Sequence, residues 1–203
     1  GSEMCIRDSW YGVVSNLNID NGGDFTYNVG IDGRTYTGTH FRQMANMYGA
    51  SGYTDNYRWG SRPSGFTVTE TYPADPWSTF FGNYAPEDQR YAYDYEETIN
   101  YIGGFGQVEY SKDRWSTFLQ GSLSSQSMQR TGRSDGFDGS ALGTNDKQTF
   151  DGYNIKGGFS HKLSDKSIVY ANAGFYSKQP FFANLYTDDR YSGEWINLED
   201  ANE

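Results

Sequence analysis

The chain has 203 residues, with 16 Lys and Arg against 26 Asp and Glu, a formal net charge of −10. That balance excludes a basic nucleic-acid module, which needs cationic side chains in excess to neutralise phosphates. An aromatic content of 18%, with 18 Tyr and 25 Gly, excludes a disordered chain. No run approaches the ~18 apolar residues of a spanning helix, which excludes a helical membrane protein but leaves a strand-built one open.

The first nine residues, GSEMCIRDS, hold the only cysteine, Cys5, so no disulfide forms within the chain. The segment has no apolar stretch of the kind a secretory signal carries. MCIRDS resembles translated adapter read-through at the ends of metagenomic gene fragments, so residues 1–9 are expected to be a non-native leader. Residues 10–203 are expected to form the domain. Period-two alternation then predicts six strands, at about 10–19, 24–41, 91–110, 114–130, 147–163 and 167–178. Tight, turn-forming clusters follow the first, third and fifth strands, at Asp20–Gly23, Ser111–Asp113 and Ser164–Lys166. Long irregular stretches, 42–90, 131–146 and 179–203, follow the others. Within the first of these, Phe41, Met44, Met47 and Tyr48 have helical spacing and predict a turn or two of helix.

The faces separate along each strand. Phe25, Tyr27, Val29 and Ile31 alternate with Thr26, Asn28, Asp32 and Arg34. Leu119 and Leu123 alternate with Gln120 and Ser122, and Tyr153 and Ile155 with Asn154 and Lys156. The third strand departs from the rule, because Phe105 falls on the polar side with Gln107 and Glu109. A one-sided apolar face suits either packing on a second sheet or contact with lipid. Trp10, Tyr110 and Trp115 are read as lying near the short-turn ends, where an interfacial aromatic girdle belongs. Long strands joined alternately by short and long connections predict an all-β, antiparallel up-and-down meander, an open arc of a transmembrane β-barrel.

Three stretches carry a family resemblance: YNVGIDGRTYTGTHFR at 27–42, GGFGQVEYS at 103–111, and FDGYNIKGGFSHKLSDKSIVYANAGFYSKQPFF at 150–182. They resemble barrel strands of TonB-dependent outer-membrane receptors, in the subgroup with a carboxypeptidase-regulatory-like N-terminal domain. The likeness implies a fragment of an active transporter that imports a metal chelate, corrinoid or glycan across the outer membrane of a Gram-negative bacterium. It implies no covalent chemistry and no cofactor. Its implied partners are outer-membrane lipid, a plug domain and further barrel strands, the TonB complex, and a small-molecule or glycan substrate, with no nucleic acid. Neither a plug nor a TonB box is found in the sequence. Six strands are too few to close such a barrel, so the fragment alone is not expected to transport. Asp32, Arg34, Glu109 and Lys156 are the expected lumen-facing residues. Tyr53, Tyr57, Trp59 and Trp77, in the longest loop, are the expected ligand contacts, since exposed rings stack on sugars and aromatic ligands.

The alternative from a different class is a soluble secreted β-sandwich that binds carbohydrate through its aromatics. A barrel enzyme or a porin is a third reading, and the enzyme lacks a Ser/His pair. His40 and His161 are the only histidines, and no spacing suits zinc or iron. Asp94, Glu96 and Glu97 are expected to be a solvated acidic rim. Asp135, Asp138 and Asp146 sit in a Gly-rich loop without calcium-loop spacing. No catalytic residue and no metal ligand is assigned.

Overall fold

The computed structural model describes residues 2–55, 66–133, 141–177 and 179–196. It is antiparallel and all-β in its main elements. The strands are β1 (Ser2–Asp20), β2 (Phe25–Met44), β3 (Tyr53–Asp55), β4 (Phe66–Val68), β5 (Tyr91–Lys112), β6 (Trp115–Gly132), β7 (Gly143–Thr144), β8 (Gln148–Ser164) and β9 (Ser167–Tyr176). The principal sheet runs β1-β2-β5-β6-β8-β9, with β7 added to the end of β6, and β3 and β4 form a second, small sheet. Consecutive long strands pair with each other, as alternating sequence and tight turns dictate.

Local chemistry sets the turns. At the first, Asp20 Oδ1 accepts from the Gly22 N–H at 2.9 Å, an Asx-type closure, and Gly22 takes φ 73°. At the second, Asp113 occupies the left-handed region at φ 52°, which Asp tolerates better than most residues. Lys112 Nζ meets Asp24 at 3.1 Å across the neighbouring strand end. β1 starts at Ser2 and so runs through the residues of the expected leader, which pair with β2 as far as Ser2↔Met44.

Packing is confined to the long-loop end. Met44, Val68 and Tyr91 join the small sheet to the large one, with Phe66 and Met47 against them. On the other face of β2 Phe41 and Ala85 are buried with Tyr72 and Tyr84 packed around them. The face opposite Phe41 is capped there by residues 182–186: Phe182, Leu185 and Tyr186 close over Met128, with Ile99, Phe150 and Trp195 alongside. Away from this end, among the described residues, the sheet is a single layer. Ile31, Ile102, Leu123 and Tyr153 adjoin on its apolar face, and each is more than half exposed.

Several expectations are corrected. The receptor resemblance implied a wall of a closed barrel, but the structure is two open sheets. The outer edges of β1 and β9 have no strand beside them, and unpaired edge N–H and C=O groups are not tolerated in hydrocarbon. Among the described residues no lumen is enclosed, so the TonB-dependent receptor assignment, its transport function and its outer-membrane location fall together. The antiparallel all-β sheet of long strands is retained. No helix among the described residues is long and apolar enough to cross a membrane.

The girdle reading also changes, since Trp10 lies mid-strand opposite Tyr36, their ring centroids 4.7 Å apart. Nor is there a helix at 41–48. β2 continues to Met44, past a register shift between Phe41 and Arg42 opposite β5, and both of its faces are covered there, which erases the period-two signal. The helix is instead α1 (Pro76–Phe80). Asp75 caps it by accepting from the Ser78 N–H at 2.8 Å, and Pro76 supplies a preset φ at its first turn.

Candidate functional site

The strand register places the polar side chains in rows across the sheet. Asn18 of β1, Asn28 of β2, Gln107 of β5, Gln120 of β6 and Lys156 of β8 lie side by side, each the direct partner of the next. The row on one side carries Asn16, Gly30, Phe105, Ser122 and Asn154. The row on the other carries Asp20, Thr26, Glu109, Phe118 and Gly158. Residues two apart on a strand share a face, so these three rows form one surface.

Two rings lie on that surface, each opposite a glycine. A Cβ added to Gly30 would sit 2.3 Å from Phe105 Cζ, and one added to Gly158 would sit 2.3 Å from Phe118 Cε1. Only glycine leaves room for a ring to lie down over the neighbouring strand. Both phenyl groups are half-buried.

Beside Phe105, over β1, β2 and β5, is a depression of about 490 Å³, lined by Asn16, Asn18, Asp20, Thr26, Asn28, Phe105, Gln107, Glu109 and Gln120 together with Ile19 and Tyr27, while Phe118 lies outside its lining. That volume lies within the range of small-molecule sites. The amides of Asn18 and Asn28 hydrogen-bond to each other, and Glu109 Oε1 accepts from Ser116 Oγ at 3.4 Å. Among the described residues, no side-chain hydrogen bond forms from Asn16, Gln107 or Gln120. Each carboxamide brings two donors and an acceptor to the depression. No Lys or Arg lines it, and Asp20 and Glu109 do.

The expected lumen residues are divided. Asp32, Arg34, Glu109 and Lys156 share the polar face, but only Glu109 lines the depression. Arg34 Nε donates to Asp32 Oδ1 at 3.0 Å, and this bond raises the guanidinium pKa further. Lys156 Nζ stands 5.9 Å from the Phe118 ring centroid. Of the expected loop contacts, Tyr53 is in β3 with its ring 5.1 Å from that of Tyr91. Trp77 is in α1, exposed, with its ring edge-on to Phe80 at 6.4 Å. Tyr57 and Trp59 lie outside the described residues, as do Asp135 and Asp138. Tyr53 and Trp77 do not meet the polar-face depression.

The acidic run is not a solvated rim throughout. Asp94 is buried, bound by Arg90 Nη1 at 3.1 Å and by Arg133 Nη1 at 3.3 Å. Arg133 also reaches Glu96 at 3.2 Å and Glu87 at 3.1 Å. Burial works against the Arg133 charge, but Asp94, Glu96 and Glu87 outweigh it and the pKa rises. Arg90 stacks its guanidinium over Phe41 at 4.1 Å. Glu97 accepts from Tyr36 Oη at 3.0 Å and meets His40 Nε2 at 2.9 Å, while His40 stacks on Tyr95. His161 stacks on Trp115 with ring centroids 3.9 Å apart. Among the described residues no group of three or more His, Cys, Asp or Glu is placed to hold a metal ion.

Burial raises the phenol pKa of Tyr95 and Tyr186 well above the ordinary value of 10.0, with nearby acids adding to it. Burial beside Glu97 does the same for Tyr36. A folded-state pKa above the unfolded one gives stability that is complete below the unfolded pKa and lost as pH rises beyond it. From neutral pH upward, urea denaturation is therefore expected to give a nearly constant unfolding free energy to about pH 10 and a falling one above. A flat profile to pH 11.5 would show that these phenols ionise as readily folded as unfolded.

Sequence reasoning missed Asn16, Asn18, Gln107 and Gln120 as a group, and Phe118 with them. The available signal was the exceptional Phe105 on a polar face. Compared with known proteins, the chain matches no family description, no curated protein and no solved structure.

Proposed function

We propose that this chain is a carbohydrate-binding module, and that the polar face of its principal sheet holds a neutral glycan. The observation that carries the reading is the pairing of unpartnered carboxamides with a ring laid flat beside them. A sugar presents hydroxyl groups that both donate and accept, around a face of C–H groups. Asn16, Gln107 and Gln120 answer the first, and Phe105 the second. The acidic lining disfavours phosphorylated or carboxylated ligands, which the site would repel. The role is binding without covalent chemistry, because the depression offers hydrogen bonds and a stacking surface but no nucleophile set beside a base.

Affinity electrophoresis through gels containing soluble starch, arabinoxylan, galactomannan or mixed-linkage β-glucan tests this. Retardation by at least one polysaccharide is expected. The double variant Gln107→Ala, Gln120→Ala should weaken it by about tenfold or more, the equivalent of one or two net hydrogen bonds. Unretarded migration in all four gels, with the circular dichroism of a folded sheet, would end the proposal.

A further inference from the structure

The two rings are not neighbours. Phe105 and Phe118 are in rows four residues apart along the strands, which at about 3.4 Å per residue is roughly 14 Å. They also lean apart: Phe105 lies over Gly30 on one side, and Phe118 over Gly158 on the other. One pyranose ring cannot touch both. Between them runs the carboxamide row, with Gln107 and Gln120 as direct cross-strand partners.

We infer that the site takes a linear oligosaccharide, lying diagonally across β5 and β6 with an inner sugar over the carboxamides and a sugar at each phenyl ring. This rests on the carbohydrate reading above and specifies its ligand class as a chain, not a monosaccharide or a terminal sugar. Stacking at each end removes C–H surface from water in two separate places. The polar row between supplies hydrogen bonds whose partners are otherwise water. Lys156, beside Phe118, puts a cationic donor at that end, whereas the Phe105 end has the neutral Asn16 carboxamide, so the two ends differ and the chain has a preferred direction.

The test is isothermal titration with the monomer through hexamer of the sugar whose polysaccharide is retained in the gels (malto-, xylo-, manno- or cello-oligosaccharides). Affinity is expected to climb by at least about tenfold between the monomer and the tetramer and then level off, since multiple contacts on one ligand reinforce each other. Phe118→Ala should weaken the long ligands by more than the monomer, removing that gain. Phe105→Ala should weaken all lengths. Phe118→Leu, which keeps the half-buried bulk, guards against a folding defect and should show the same loss of gain. Equal affinity at every length, or an equal effect of Phe118→Ala on monomer and hexamer, would overturn the inference while leaving carbohydrate binding intact. Failure of that earlier reading would show instead as an absence of retardation in every gel.

Discussion

Replacing Arg130 with alanine is expected to lower the unfolding free energy by about 2–4 kcal/mol, the range for removing a buried group whose partners are then stranded. Arg130 is fully buried on β6. Its Nε donates to the Asp189 carbonyl at 3.0 Å and its Nη1 to the Ala141 carbonyl at 2.7 Å. The guanidinium also stands 5.0 Å from the Tyr95 ring centroid, and its cross-strand partner is Glu97. Burial lowers its pKa, yet an arginine remains charged. Losing the side chain leaves two carbonyls without that donor and a void beside Tyr95 and Tyr186. It also removes one of the ties between the 182–196 segment and the sheet. The midpoint of urea denaturation should fall with little change in slope. A loss below about 0.5 kcal/mol, the scale of an ordinary surface substitution, would show that Arg130 does not hold that segment down.

The second large effect concerns the bare side of the sheet. Ile31, Ile102 and Leu123 are 63%, 67% and 72% exposed and, with Val13 and Tyr153, they line a shallow apolar depression. A contiguous patch of that kind is unusual on an isolated chain and binds apolar probes. The folded protein is expected to raise the fluorescence of an anilinonaphthalene dye by about tenfold, in the manner of exposed hydrophobic surface, and to associate at micromolar concentration. The double variant Ile31→Glu, Leu123→Glu should abolish both. Because these positions face solvent, the variant should keep its far-ultraviolet spectrum. Dye fluorescence equal to that of a small polar protein would mean that something covers this side.

Much of the architecture was legible. Period-two alternation located all six long strands, and the Asp/Asn/Gly and Ser/Asp/Lys clusters located the three tight turns, because each of these signals is local. The apolar and polar faces were assigned correctly for the same reason. The elements that alternation missed are too short to show a period: β3 and β4 have three residues each and β7 two. At Phe41 and Met44 the pattern misled, because loop residues cover one face of β2 and the Tyr36–His40–Glu97 cluster the other. The receptor likeness misled more broadly. Alternation with tight turns describes any long antiparallel hairpin and carries no information about closure.

The site was half legible. Phe105 stood out as an exception on a polar strand face, and Glu109 was placed on that face. What could not be read was that Gly30, 75 positions earlier, lies opposite Phe105, or that Gln107 and Gln120 are cross-strand partners. Register is fixed by pairing, and the sequence shows only the pattern within each strand. The same holds for Arg130, whose acceptors Ala141 and Asp189 lie in the connecting segments.

The order of the long strands follows the order of the chain, each bonded to the one before it. A sheet of that type has no central strand that must be threaded between two others. Hairpins could be appended to or trimmed from its margins over evolutionary time while the remaining ladder kept its alignment. The same property lets the sheet assemble by successive docking of neighbouring strands, through tight turns after β1, β5 and β8 and longer loop closures before β5 and β8.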